Sequence, residues 1–186
     1  MSGYRKWALR AAMAGTATLA VVAALGPPST GSATAATATW TIFGKNSWSG
    51  DDSIEDVTVA RTGSTWGAGY RTDGGISRPV VQHWVDGKFR NVTLPSDWRG
   101  RFAAIDASRS DNVWAFGENG DAAFAAQWNG TKWIRHGMPE PFGVSDAEAF
   151  SPTNVWAVAD NGTAQRWNGS SWRSANAPVR TTAIDG

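Results

Sequence analysis

The sequence predicts an all-β protein of three tandem four-stranded antiparallel units, and two observations carry that expectation. One hexapeptide occurs three times, as Trp84-Val85-Asp86-Gly87-Lys88-Phe89, Trp128-Asn129-Gly130-Thr131-Lys132-Trp133 and Trp167-Asn168-Gly169-Ser170-Ser171-Trp172, at intervals of 44 and 39 residues. Each copy is followed by a proline (Pro95, Pro139, Pro178) and preceded by a β-rich run centred on tryptophan (Ser64-Thr65-Trp66, Asn112-Val113-Trp114, Asn154-Val155-Trp156). A period of about 40 to 50 residues, with several short strands in each unit, is the pattern of β-propeller blades. The blades are expected at residues 54–97, 101–141 and 144–180.

The second unit shows the plan. Phe102 to Ser108 is a first strand, Arg109-Ser110-Asp111-Asn112 a turn, and Val113-Trp114-Ala115-Phe116 a second strand closed by Gly117 to Asp121. Ala122 to Trp128 is a third strand and Lys132 to His136 a fourth, joined by Asn129-Gly130, a pair suited to a two-residue hairpin with both residues at positive φ. That register sets Trp128 and Trp133 diagonally on one face, about 7 to 8 Å apart, where only large side chains touch. The two rings are expected to fill the gap to a neighbouring blade, as are their counterparts in the other copies. In the first unit the second and third strands are read as joined by a longer loop, Arg71 to Ser77. Insertions of this kind project onto one rim and are a natural seat of individual function.

The ends carry partial units. Trp40-Thr41-Ile42-Phe43, within 40–46, reads as the last strand of a preceding blade, and Ala183-Ile184-Asp185, within 181–186, repeats Ala104-Ile105-Asp106 and reads as the first strand of a following one. Closed propellers take about four to eight blades. An open arc, a homo-oligomer that completes the ring, and a truncated relative of a longer protein are the arrangements left, with truncation or an open arc preferred.

Residues 1–38 resemble an export signal and linker rather than part of the fold. A basic start (Arg5, Lys6, Arg10) leads into an apolar run from Ala11 to Leu25, then Pro27-Pro28 and a small-residue tract with A-x-A-type sites at Ala33-Thr34-Ala35 and Ala36-Thr37-Ala38. The run is shorter than the roughly 20 apolar residues that span a bilayer. The expectation is a secreted, extracellular chain of residues 39–186 with no stable membrane insertion. It holds no cysteine, so stability rests on packing alone. A formal net charge of +1, with both signs interspersed, supplies no basic patch for nucleic acid.

Runs such as Asp111-Asn112-Val113-Trp114-Ala115-Phe116-Gly117, followed by Gln127-Trp128-Asn129-Gly130-Thr131-Lys132-Trp133, resemble the Trp-rich β-propeller repeats of secreted actinobacterial proteins, a kelch-like or WD40-like group. The resemblance spans roughly residues 40 to 186. It implies a fold and an extracellular setting, and it brings no catalytic motif. The Asn129-Gly130-x-x-Trp133 run lacks one residue of a sialidase Asp-box, and Gly74-Gly75 is the only kelch-like double glycine, so those families' activities are not transferred.

Three groups of side chains are candidates for chemistry. Asp106, Glu148 and Asp185 fall at one repeat position of the first strand, with Thr58 there in the first unit; such a ring could bind a cation or supply a carboxylate pair for glycoside hydrolysis. The simpler reading is that each accepts hydrogen bonds within the blades. His83 and His136 lie at positions filled by other residue types in sister copies, and no triad or metal spacing surrounds them. Most tryptophans suit the core between blades, whereas Trp48 and Trp98 lie in polar loops without counterparts in every copy. With Asp73 and the Arg71 to Ser77 segment, they are the candidate ligand contacts. The function expected is a non-enzymatic scaffold that recognises a glycan or a protein through rim loops, with no cofactor and no metal. The alternative is a fragment of an extracellular carbohydrate-active enzyme using Asp106 and Glu148.

Overall fold

The computed structural model describes residues 51–139, 143–159 and 161–175. The expected signal, both partial blades, Trp48 and Asp185 lie outside them. Three sheets follow one another along the chain, each of four consecutive antiparallel strands. The first holds β1 (Asp51–Val59), β2 (Thr65–Asp73), β3 (Ile76–Val85) and β4 (Lys88–Asn91); the second β5 (Arg101–Arg109), β6 (Asn112–Asn119), β7 (Ala122–Trp128) and β8 (Trp133–Gly137). The third holds β9 (Val144–Ser151), β10 (Asn154–Ala159), β11 (Ala164–Trp167) and β12 (Trp172–Ala175). The first strands β1, β5 and β9 touch in succession, so the sheets stack as blades around a common inner side.

Register makes the blades equivalent residue by residue. Thr58, Asp106 and Glu148 on the first strands pair with Trp66, Trp114 and Trp156 on the second. Those tryptophans pair in turn with His83, Gln127 and Arg166 on the third. Because strand side chains alternate between faces, alternate residues of β6 serve different neighbours. Val113 and Ala115 join the cluster shared with the first blade, and Trp114 and Phe116 the cluster shared with the third.

Indole rings fill the space between neighbouring blades. Trp66 meets Trp128 and Trp133 of the second blade at centroid distances of 6.2 and 6.1 Å. Trp114 meets Trp167 and Trp172 of the third at 5.3 and 5.7 Å. A buried ring of this size removes enough apolar area to favour folding by roughly 5 kcal/mol, an upper figure set by an extended unfolded chain. The indole N–H of each second-strand tryptophan also finds an acceptor two residues earlier: Ser64 Oγ for Trp66, Asn112 Oδ1 for Trp114 and Asn154 Oδ1 for Trp156, at 2.9, 3.1 and 3.1 Å. A buried donor needs such a partner, which explains the recurring Ser/Asn-x-Trp.

Two local expectations are corrected. The hairpin aromatics sit directly opposite one another, not diagonally: Trp84 pairs with Phe89, Trp128 with Trp133 and Trp167 with Trp172. In the first copy the turn is Asp86-Gly87, at φ 51 and 75. In the others the asparagine stays out of the positive-φ region, and its side chain organises a four-residue loop. Asn129 Oδ1 accepts the N–H groups of Thr131 and Lys132, and Asn168 Oδ1 those of Ser170 and Ser171, all at 3.0 Å. Local side-chain acceptance of this kind competes with the tight mirror-image turn. The second correction concerns Arg71 to Ser77, which is no loop. β2 and β3 pair without interruption as far as Asp73 and Ile76, leaving only Gly74-Gly75 as the turn, at φ 56 and 77.

Candidate binding site at the blade rim

The first blade exceeds its neighbours in the length of one hairpin. β2 and β3 run to nine and ten residues, against eight and seven for β6 and β7 and six and four for β10 and β11. Near the hairpin's tip Arg71 stands directly opposite Arg78, where the second blade pairs Asn119 with Ala122. Like charges facing each other across a ladder weaken it; on its other side Arg71 pairs with Asp52 of β1, and neither guanidinium makes an ion pair among the described side chains. Beside them the connection from β4 to β5 folds back, with Trp98 N–H donating to the Pro95 carbonyl at 3.1 Å.

A cleft of about 340 Å³ opens between hairpin and connection, with Arg71, Arg78, Pro79, Leu94, Pro95 and Trp98 among its walls. A second, wider cleft of about 600 Å³ lies between the hairpin tip at Gly75–Ser77, the Arg99–Arg101 segment and the Glu118–Gly120 turn of the second blade. The Gly100 N–H to the Ser77 carbonyl, at 3.0 Å, ties tip and segment together. Arg101 is already committed to Glu118, and Arg99 donates to the carbonyls of Ser96 and Trp98. Arg71 and Arg78 are therefore the pair positioned to meet an anionic group.

The residues singled out from the sequence are dispersed. Trp98 lines the first cleft, yet only 8% of it is exposed and its ring belongs to the core with Phe102 and Phe124. Asp73 is exposed at the end of β2 and lines neither cleft. The two arginines were missed as individual contacts because the segment holding Arg71 was read as loop, whereas pairing across a strand ladder brings Arg78 to it.

The first-strand acids form links between blades. Asp106, 2% exposed, takes the Thr58 hydroxyl on Oδ1 at 2.9 Å and the Ala149 N–H on Oδ2 at 2.6 Å, so one carboxylate joins three blades. Two positions earlier in the first blade, Asp56 accepts the N–H of Ile105 at 2.8 Å. Burial, opposed by that bond and by the Val57 N–H and reinforced by the charges of Asp146 and Asp106, pushes the Asp56 pKa up to about 6. Glu148 is likewise buried. Asp106, enclosed in this way, has no face to offer a sugar. No group of three or more His, Asp or Glu among the described residues is placed to hold a metal ion. His83 stacks on Trp66 at 3.9 Å and bonds Ser64 Oγ, and His136 lies between Trp114 and Trp167; burial lowers the pKa of both.

Similarity to solved structures fits this geometry. YCF48 bound to D1 peptide matches with a TM-score of 0.51 at 17% identity, over 67% of this chain and 40% of that one. The fold is that of β-propeller blades. YCF48 from Cyanidioschyzon merolae matches with a TM-score of 0.46 at 17% identity, over 72% and 42% of the two chains. The chain thus spans about two fifths of the propellers it matches. No protein-family model and no curated protein matches it by sequence.

Proposed function

We propose that this propeller segment is a secreted, non-enzymatic scaffold that holds a carboxylate-bearing stretch of a partner protein against the rim of its first blade. The observation that carries the reading is the facing pair Arg71 and Arg78, which make no ion pair among the described side chains, on the wall of a cleft that also presents apolar residues. A planar guanidinium fork matches a carboxylate in two parallel hydrogen bonds, and Pro79, Leu94 and Pro95 offer an apolar surface to neighbouring side chains. A polypeptide supplies both chemistries in one short stretch. The peptide held by a solved propeller of the same fold supports a protein ligand over a glycan. Trp98, one of the two tryptophans expected to offer a sugar an aromatic platform, is only 8% exposed, which favours the same reading.

Equilibrium binding of residues 39–186 to arrays of acidic, neutral and basic peptides, with a polysaccharide panel alongside, tests this. Acidic peptides are expected to bind, with affinity reduced about tenfold or more in an Arg71→Ala, Arg78→Ala double variant and weakened by salt. Polysaccharide binding, or peptide binding indifferent to both arginines, would overturn the reading.

A further inference from the structure

Asn-Gly is a dipeptide open to spontaneous rearrangement, because a glycine nitrogen, with no Cβ beside it, can approach the preceding side-chain carbonyl. The chain holds four such pairs: Asn119-Gly120, Asn129-Gly130, Asn161-Gly162 and Asn168-Gly169. Each asparagine is exposed, so access to water does not tell them apart. Their local bonds do.

Three of the four are held. Asn129 Oδ1 accepts the N–H groups of Thr131 and Lys132, Asn161 Oδ1 the N–H and hydroxyl of Thr163, and Asn168 Oδ1 the N–H groups of Ser170 and Ser171. Their glycines are restrained as well. A Cβ at Gly130 would stand 3.0 Å from Asp111 Cβ and one at Gly169 2.8 Å from Thr153 Cγ2, while the Gly162 N–H donates to the Ala159 carbonyl at 2.9 Å. Asn119-Gly120 has neither restraint. Asn119 closes β6 opposite Ala122, leaving Gly120-Asp121 as the whole turn, and no hydrogen bond holds its side chain among the described residues. Gly120 sits at φ 60 with nothing within 4 Å of the Cβ position. Opening of the terminal Asn119–Ala122 pair, a local motion of low free energy, frees the asparagine to turn its Cγ towards the next nitrogen.

We propose that Asn119 is a self-modifying site, converted by intramolecular imide formation to a mixture of aspartate and isoaspartate. The Gly120 nitrogen bonds to Asn119 Cγ and loses its proton, and the Cγ–Nδ2 bond breaks as Nδ2 takes up a proton and leaves as ammonia. A water molecule then adds to either imide carbonyl and the C–N bond there breaks. The product is aspartate or, with the chain rerouted through the side-chain carbon, isoaspartate. Both carry a new carboxylate. Asn119 lines the wider cleft with Arg99, Arg101 and Glu118, so the formal charge of those walls falls from +1 to zero. Isoaspartate also lengthens the backbone by a methylene at the turn, which reshapes that wall. The site is independent of the arginine pair in the narrower cleft.

Ageing of the full chain in mildly alkaline buffer made with heavy-oxygen water, followed by peptide mapping with mass spectrometry, tests it. Asn119 is expected to convert about tenfold faster than Asn129, Asn161 or Asn168, the difference that a lost hydrogen bond or two makes to a barrier. Its product should carry a heavy oxygen and more isoaspartate than aspartate. In denaturant, where no fold restrains any of them, the ranking should vanish. Conversion of any of the other three as fast as Asn119 in the folded protein overturns the proposal, as does an Asn119 that survives intact where the denatured chain converts. Aspartate without isoaspartate would replace the imide route with direct hydrolysis and overturn it too.

Discussion

The two interfaces between blades solve one packing problem with different parts. In both, a second-strand tryptophan of one blade is enclosed by the hairpin pair of the next, at nearly the same ring distances. Around that wedge the parts differ. The ring over Trp66 is His83 of its own third strand, while Trp114 takes His136 from its own fourth strand, since Gln127 occupies the third-strand position. Gln127 Oε1 in turn meets His136 Nε2 at 3.3 Å. The polar links differ too, with Asp56 and the Thr58–Asp106 pair at the first interface and Asp106 to Ala149 at the second. Ring positions are tightly specified by interlocking volume, whereas a hydrogen bond asks only that a donor meet an acceptor, which several residue types satisfy.

The sharpest way to break this comparison is to remove each wedge. Trp114→Ala is expected to cost about 4 kcal/mol and Trp66→Ala about 3, measured by chemical denaturation, since Trp114 is the more fully buried and touches more rings. A negligible cost at either would show that the wedges are not equivalent. Next in size is Asp106→Ala, which leaves the Ala149 N–H without its acceptor and should cost about 2 kcal/mol. Gln165 yields an effect of opposite sign. Its side chain is 1% exposed with neither amide atom hydrogen-bonded, although the equivalent Gln82 bonds Asn91 at 2.9 Å. Gln165→Leu should therefore raise stability by about 1 kcal/mol, and Gln82→Leu should not.

The smallest effect is read from pH. Asp56 has a folded pKa of about 6 against 3.8 for the ordinary side chain, so the folded state holds more protons between those values. Stability from this group is greatest below about pH 4 and declines as pH rises to about 6. A thermal-melting series across that window should lose the decline in Asp56→Asn. A slope of unchanged size would assign it to other carboxylates.

The repeated units, the four strands in each and the tryptophans that join them were legible in the sequence, because each copy states the same aromatic spacing. The hairpin register was not: Asn129-Gly130 signals a two-residue turn, and only the bonds from Asn129 Oδ1 show why four residues are used. Acids at Asp106 and Glu148 were visible as a repeat position, but their partners lie 48 and 43 residues away in the case of Asp106, beyond the reach of local pattern. The cleft was half-legible. Attention fell on the correct hairpin through its double glycine, whereas the facing arginines required knowing that the segment continues as strand.

The forward reach of the first-strand carboxylates gives the stack a polarity. The carboxylate-to-amide links run from an acceptor on one blade to an N–H on its successor, while the Thr58 hydroxyl donates forward to Asp106. Asp106 thereby clasps its neighbours on both sides at once, taking a hydroxyl from the blade before it and an N–H from the blade after it.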